Sequence, residues 1–544
     1  MPSDALVNPV DAEKKRGHRK SPVLRTSLIV FLFLVCTKIL NFVKKVLIGK
    51  LFGVSTVADT FFAASYLPYY LTIFFEGILF LGFLPLFSQV MSTKGKEEAS
   101  QFVGEILFLV VVLTCSLTAL AWWGAPWITR QIVPGFRLHD QELTCDLFKI
   151  LSLVIIFLSL TSLFKALNSY FEDYAAAASA GLVDTLIMMT ITLASWKLWG
   201  IRGAAWGSVA GALCALIFQA AFLVQKHLFF AGRFSFETTW ILKLFYFLVP
   251  MGAIWFFQQI PLVILNRFGS GMWQGTISAL TIAQTLTTVP MGLVSHTVLF
   301  AIFPSLTKQA NETGLEHARA TFFQTLRGGF LILIPVGFLL SGLARPLASL
   351  FFSGGGILEE GTRRIANALG CLGAATFALY ADLFMTQSLI AIRKTVPAIL
   401  LCASRAVLTY AVCYILSTLW DYQGLAVGFS AALAVNFFLF FPVIFRLSPF
   451  VGEWKSLFVY CLKLMLAASP VSLVAWLANR WSVAQWTHFP PVGTVLAMAL
   501  MSLAGAGAYW VVLLLFRIQE VRYVMESLKP SGLRKDWSLA DPGN

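Results

Sequence analysis

Residues 25–49 read RTSLIVFLFLVCTKILNFVKKVLIG. As a helix this run reaches across the ~30 Å hydrocarbon core of a bilayer. Unlike an ordinary lipid-facing helix it carries Lys38, Lys44 and Lys45, with Lys50 just beyond. A charge at bilayer depth costs at least about 2.5–3.5 kcal/mol on insertion scales, so each of these lysines is a candidate for function. Lys38 and Lys45 stand seven residues apart and share a helix face, while Lys44 lies about 100° from Lys45. Such a helix faces lipid badly and a water-filled cavity well. Ammonium groups in a cavity suit an anionic ligand such as a diphosphate. For Lys44, Lys45 and Lys50 the competing reading is snorkelling to the outer headgroups.

The rest of the chain repeats the apolar theme. It has 544 residues, is 58% hydrophobic and only 12% charged, with a mean hydropathy of +0.79. Soluble domains average about 25% charged residues. Further apolar runs fall at 56–90, 102–127, 147–170, 176–199, 203–225, 239–266, 274–306, 328–350, 365–392, 397–420, 424–446, 457–479 and 491–516. Backbone in hydrocarbon must satisfy its own hydrogen bonds, which a helix does within one segment. A barrel would show alternating segments of about ten residues, and these runs are longer and continuous. The predicted fold class is an all-α polytopic membrane protein of about fourteen helices.

The first two dozen residues hold Lys14, Lys15, Arg16, Arg19, Lys20 and Arg25. The run that follows is too long for a signal-peptide core and lacks a small-residue cleavage site. The segment reads as a cytoplasmic tail among anionic headgroups. Alternation then puts the loops near 94, 230, 315, 394 and 450 and the C-terminus in the cytoplasm. Those segments hold about twice the Lys and Arg of the opposite set, as the positive-inside rule expects. The predicted location is the bacterial inner membrane with both termini cytoplasmic. The net charge of +14 is explained by this distribution and does not call for nucleic acid.

The sequence also repeats itself. Phe52-Gly53 ends the first run and Phe268-Gly269 the seventh; Pro85-Leu86-Phe87-Ser88-Gln89 closes the second and Pro304-Ser305-Leu306-Thr307-Lys308-Gln309 the eighth. Leu163-Phe164 matches Leu383-Phe384, and Gly203-Ala204-Ala205-Trp206-Gly207 matches Gly424-Leu425-Ala426-Val427-Gly428, all at an offset of 216 to 221. Six spans repeated in the same orientation imply two parallel bundles with a substrate site between them and alternating access by rocking. The expected organisation is a basic tail (1–24), a first lobe (25–226), a second lobe (237–446), an accessory pair of helices (454–517) and a cytoplasmic tail (518–544).

Asp59 and Glu76 on the second run are candidate partners for the lysines, and an ion pair there could switch as substrate binds; a purely structural pair is the alternative. Asp184, Asp382 and Arg405 are further embedded charges that could serve a cation or proton coupling site. His296 reads as a packing histidine. Gly203, Gly207 and Gly211 have the small-xxx-small spacing of close helix packing. Pro250 and Pro261 bracket Gln258 and Gln259, a bent and polar-centred helix that could move. The eight cysteines are scattered through apolar runs without metal-type spacing. No P-loop, HExxH or paired-Cys motif occurs. The chain is therefore expected to be a non-enzymatic transporter with no cofactor, driven by Na+, H+ or the membrane potential.

Several stretches resemble the MurJ (MviN) family of lipid II flippases, within the multidrug/oligosaccharidyl-lipid/polysaccharide exporter superfamily. They are Thr37-Lys38-Ile39-Leu40-Asn41-Phe42-Val43-Lys44, Phe52-Gly53 through Ala58-Asp59-Thr60-Phe61-Phe62 to Leu67-Pro68, and Glu76-Gly77. Leu167-Asn168, Gln259-Ile260-Pro261-Leu262, Pro290-Met291-Gly292 and Arg393-Lys394-Thr395-Val396-Pro397 extend the likeness over roughly residues 30–445. The resemblance implies two six-helix lobes, a cationic cavity for a lipid diphosphate, and a groove for an undecaprenyl tail formed by the extra helices. It implies lipid II as the anionic partner beside membrane lipids, with cell-wall synthesis enzymes as further partners in peptidoglycan biosynthesis. Lys38, Lys44, Lys45, Asp59 and Glu76 are then the expected substrate-binding set. The family has arginines where Lys38 and Lys44 stand, and lysine lacks the bidentate fork of arginine. Two more family arginines fall on Thr72 and Thr285 here, and Lys45 is placed to replace one of them. The rival expectations are a cation-coupled exporter of another lipid-linked glycan or small molecule, and a non-transporting membrane scaffold.

Overall fold

The computed structural model describes residues 9–224, 238–312, 315–352, 359–440, 454–482 and 491–516. Among them are helices and no strand. They are α1 (Pro9–Phe52), α2 (Thr56–Ile78), α3 (Leu84–Thr93), α4 (Lys96–Ile132), α5 (Leu138–Tyr170), α6 (Tyr174–Trp199), α7 (Ile201–Val224), α8 (Thr238–Gly269) and α9 (Thr276–Glu312). There follow α10 (Leu315–Gly342), α11 (Ala344–Phe352), α12 (Glu359–Gly373), α13 (Thr376–Ala391), α14 (Thr395–Val435), α15 (Trp454–Ser482) and α16 (Pro491–Leu515). Every apolar run read from the sequence falls at least in part on one of these helices.

Among the described residues ten helices are long and apolar enough to cross a membrane, or eleven if α12 and α13, bent by 53°, make one span. This is a multi-pass helical membrane protein. The expected fourteen is not reached on that measure. The runs 397–420 and 424–446 meet in α14 at a break over Trp420 and Asp421, so two helices count there as one. Part of the expected N-terminal tail is helical, since α1 starts at Pro9. Residues 1–8, the loop 225–237 and the tail 518–544 lie outside the described residues, as does the side chain of His296.

Local chemistry sets the breaks. Pro85 has no N–H to give to the preceding turn, and the chain widens into a π turn over Leu79–Phe83 before α3. Ser55 caps α2, its hydroxyl accepting from Ala58 N at 3.4 Å. The turns before α2 and α9 use Gly53 (φ +75°) and Gly275 (φ +88°), a region that suits glycine.

The chain divides into two compact units. The first holds residues 1–289, 352–364 and 405–428. Its core joins α2, α4, α5, α6 and α7 through Phe61, Phe62, Ala125, Phe148, Leu151, Met188 and Ala205. The α7 glycines let the backbones meet as expected: a Cβ on Gly207 would sit 2.9 Å from the Met188 carbonyl oxygen, and one on Gly211 2.4 Å from that of Asp184. The second unit holds 290–351, 365–404 and 429–544. Here α10 is the hub. Tyr380 of α13 donates to Thr325 O (3.1 Å), Tyr460 of α15 to Arg327 O (3.2 Å) and Tyr509 of α16 to Leu331 O (3.0 Å). The last two helices are thus anchored to α10 by buried phenols whose rings supply the apolar contact.

Candidate functional site

Within the first unit, the α1 lysines gather rather than fan out to lipid. Lys44 and Lys45 line a cavity of about 280 Å³ together with Asn41, Tyr66, Tyr69, Tyr70, Ser208, Asn266 and Gln284. Lys38 lies one to two turns away and interacts electrostatically with Lys45, as does Lys44. Like charges are held together only where something else holds the helix in place, and here it is the packing of α1 on α6, where Thr37 fills the space beside Gly181.

Each lysine has its own partner. Lys45 Nζ donates to Thr285 Oγ1 at 2.6 Å. The position where the resemblance calls for an arginine on α9 therefore receives its cation from α1. Lys44 Nζ stands 5.3 Å from the centre of the Tyr69 ring, a cation–π contact, and interacts electrostatically with Asp184 of α6. Thr72, the other position of a missing arginine, is buried and gives its hydroxyl to Tyr69 O at 2.6 Å. Lys38 interacts electrostatically with Glu76.

The two acidic members of the expected set part company. Glu76 forms its ion pair with Lys165 of α5, a residue that the sequence reading passed over, and Lys38 stands near enough to act on the same carboxylate. Exchanging the pair (E76K with K165E) should restore what either single change loses. A double-mutant cycle on unfolding should give a coupling of about 0.5–1 kcal/mol for this half-exposed pair. Strict additivity would mean that the two charges do not act together.

Asp59 is buried at 1% exposure and turned away from the lysines. Its Oδ2 accepts from Gly275 N at 2.8 Å and its Oδ1 from Ser278 N at 2.6 Å. These are amides of the first turn of α9, so a carboxylate of α2 closes the N-terminus of another helix, where the dipole favours negative charge. Sequence reading expects a lysine partner here, but backbone amides are the stronger match for a carboxylate that the corner at Gly53 holds close to Gly275.

Helix α8, with Pro250 and Pro261 inside it, also contributes. Tyr66 donates to Gln259 Oε1 at 3.1 Å, and the Arg405 guanidinium donates through Nη2 to Gln258 O at 2.7 Å. Pro261 has no N–H for the Phe257 carbonyl four residues back, which removes one hydrogen bond from that turn. Gln284 Nε2, buried, meets no acceptor among the described residues. A pocket with two ammonium groups, three phenols and three side-chain amides can hold a phosphate and hydrogen-bond to hydroxyl or amide groups next to it. Among the described residues no cluster of His, Cys, Asp and Glu could hold a metal ion.

Comparisons with known proteins bear on the family and the fold. A family model described as "Lipid II flippase MurJ" matches residues 48–497. The "Probable lipid II flippase MurJ" of Buchnera aphidicola subsp. Schizaphis graminum is 23% identical over 456 residues, covering 82% of this chain and 87% of the relative. The "Lipid II flippase MurJ" of Burkholderia cenocepacia is 20% identical over 504 residues, covering 90% and 96%. Among solved structures, "Lipid II flippase MurJ, inward closed conformation" matches at a TM-score of 0.71 and 18% identity over 90% of this chain and all (100%) of that one. A multidrug resistance MATE family transporter of the MOP superfamily, in an inward-facing conformation, matches at 0.62 and 16% identity over 78% and 99%. At these identities the solved structures speak for the fold, and the match over most of the sequence speaks for descent: the chain belongs to the MurJ family of lipid II flippases.

Proposed function

We propose that this protein carries lipid II, the undecaprenyl-diphosphate-linked peptidoglycan precursor, from the cytoplasmic to the periplasmic leaflet of the inner membrane by alternating access. The observation that carries the reading is the cavity at which Lys44 and Lys45 meet three tyrosines inside a bundle of membrane-length helices. The two lysines take the diphosphate, Lys38 adds positive charge at the approach, and Glu76 with Lys165 sets that charge. Asp59 acts at a distance from the ligand, by holding the start of α9. The two six-helix lobes rock about the site, and the accessory helices carry the lipid tail. No bond of the substrate changes, so the protein is a transporter and not an enzyme. Both termini lie in the cytoplasm, and the free energy comes from Na+, H+ or the membrane potential.

The likeness to a multidrug transporter does not favour cationic drugs as cargo, because three ammonium groups repel them. The test is rescue of a cell depleted of its own lipid II flippase, read as survival and as lipid II accessible at the outer leaflet. Rescue with outer-leaflet lipid II is the expected result. Failure of a well-expressed, inserted protein would overturn the substrate assignment. Co-purification with cell-wall synthesis enzymes, together with full function after all first-span lysines are neutralised, would favour a scaffold.

A further inference from the structure

Asp184 has no part in the scheme above, yet its carboxylate interacts electrostatically with Lys44, which lines the cavity. It is 9% exposed, on α6, and among the described residues no donor reaches its Oδ1. On the α7 side there is only the bare backbone of Gly211, where a Cβ would lie 2.9 Å from Oδ1. From α1 the facing charge is Lys44, the one charged group that acts on Asp184 among the described residues. From α2 the facing titratable group is Tyr69, the same ring over which Lys44 rests. Its phenol is engaged with Ser208 of α7, which also lines the cavity. Thr185, next along α6, has a buried hydroxyl that is likewise without a partner among the described residues. A buried carboxylate is thus left with one counter-ion, and that counter-ion is a substrate-binding residue.

We propose that Asp184 is a proton-binding site linked to the anion site, so that the protein takes up a proton at Asp184 when a diphosphate occupies the Lys44–Lys45 cavity. This rests on the diphosphate reading given above. With the cavity free of anion, Lys44 neutralises the carboxylate. A bound diphosphate draws the ammonium group to itself and adds negative charge close to Asp184. Both changes penalise a buried ionised carboxylate, which then takes a proton from cavity water and becomes a neutral acid. When the anion leaves, Lys44 returns and the proton goes back to water. Proton and anion therefore bind cooperatively, and each raises the affinity for the other by the same factor.

The experiment uses the purified full-length protein in detergent and two probes, lipid II and inorganic diphosphate. Calorimetry in two buffers of different ionisation enthalpy counts the protons taken up, and titrations from pH 5.5 to 8.5 give the affinities. Wild type should take up a net proton beyond what Asp184→Asn takes up. Its affinity should also fall more steeply with rising pH, by up to about tenfold per pH unit, while the isosteric variant loses that excess slope. Lys44→Gln should lose the uptake as well, because its carboxylate is already neutral before the anion arrives. Equal uptake and equal slope in wild type and Asp184→Asn would overturn the linkage. Uptake with inorganic diphosphate but no binding of lipid II would keep the linkage and sink the substrate assignment. Binding of neither probe would sink both.

Discussion

Changing Lys44 and Lys45 together to alanine is expected to abolish rescue of a flippase-depleted cell while the protein still inserts and accumulates. A hydrogen bond to a charged group contributes roughly 1.5–3 kcal/mol, so losing two should weaken diphosphate binding by about 10²- to 10⁴-fold. Both side chains line the same cavity, and their effects should exceed that of Lys38→Ala, which stands outside the lining and next to Glu76. Direct binding of lipid II to the purified variants decides the matter. Wild-type affinity in the double variant would remove the cavity from the mechanism. An arginine at position 44 should retain or improve binding, since its fork matches a phosphate edge. The return of function with arginine, and not with glutamine, would separate a charge requirement from a packing one.

Asp59→Ala should cost about 3 kcal/mol of stability and lower the melting temperature by several degrees. The change removes two buried charge-assisted bonds and strands the amides of Gly275 and Ser278. Asp59→Asn, which keeps one accepting oxygen, should lose about half as much. Serine in its place is too short to reach both amides and should behave like alanine. A melting curve unchanged by the alanine substitution would show that the corner is held by the glycine packing alone.

How far the sequence could be read depends on what kind of group makes each contact. The spans were legible because hydrophobicity and length are carried by the side chains themselves, and α7 was legible in detail because Gly203, Gly207 and Gly211 can only mean close approach. The lysines of α1 were legible because a charge in an apolar run stands out. Lys45 meeting Thr285 could be anticipated from the gap left where an arginine was expected. Lys165 was missed because it lies five residues from the end of α5, where snorkelling is sufficient reason for a lysine. The partners of Asp59 could not be seen at all, since every residue but proline carries an amide and sequence does not mark which ones are unpaired. The tyrosines and amides of the cavity look, in sequence, like the polar inclusions of any long helix.

The closure of α9 by Asp59 also bears on how the protein is made. The two partners are 216 residues apart, and the carboxylate comes first. At a synthesis rate of about 5–20 residues per second, Asp59 enters the membrane roughly 10–40 seconds before the amides it will hold. During that interval the N-terminal helices must keep a carboxylate in water or spend it on a temporary partner such as the nearby lysines. The arrival of the eighth long helix would then release those lysines for their later work, making completion of the cavity a step in biogenesis that waits on the second half of the chain.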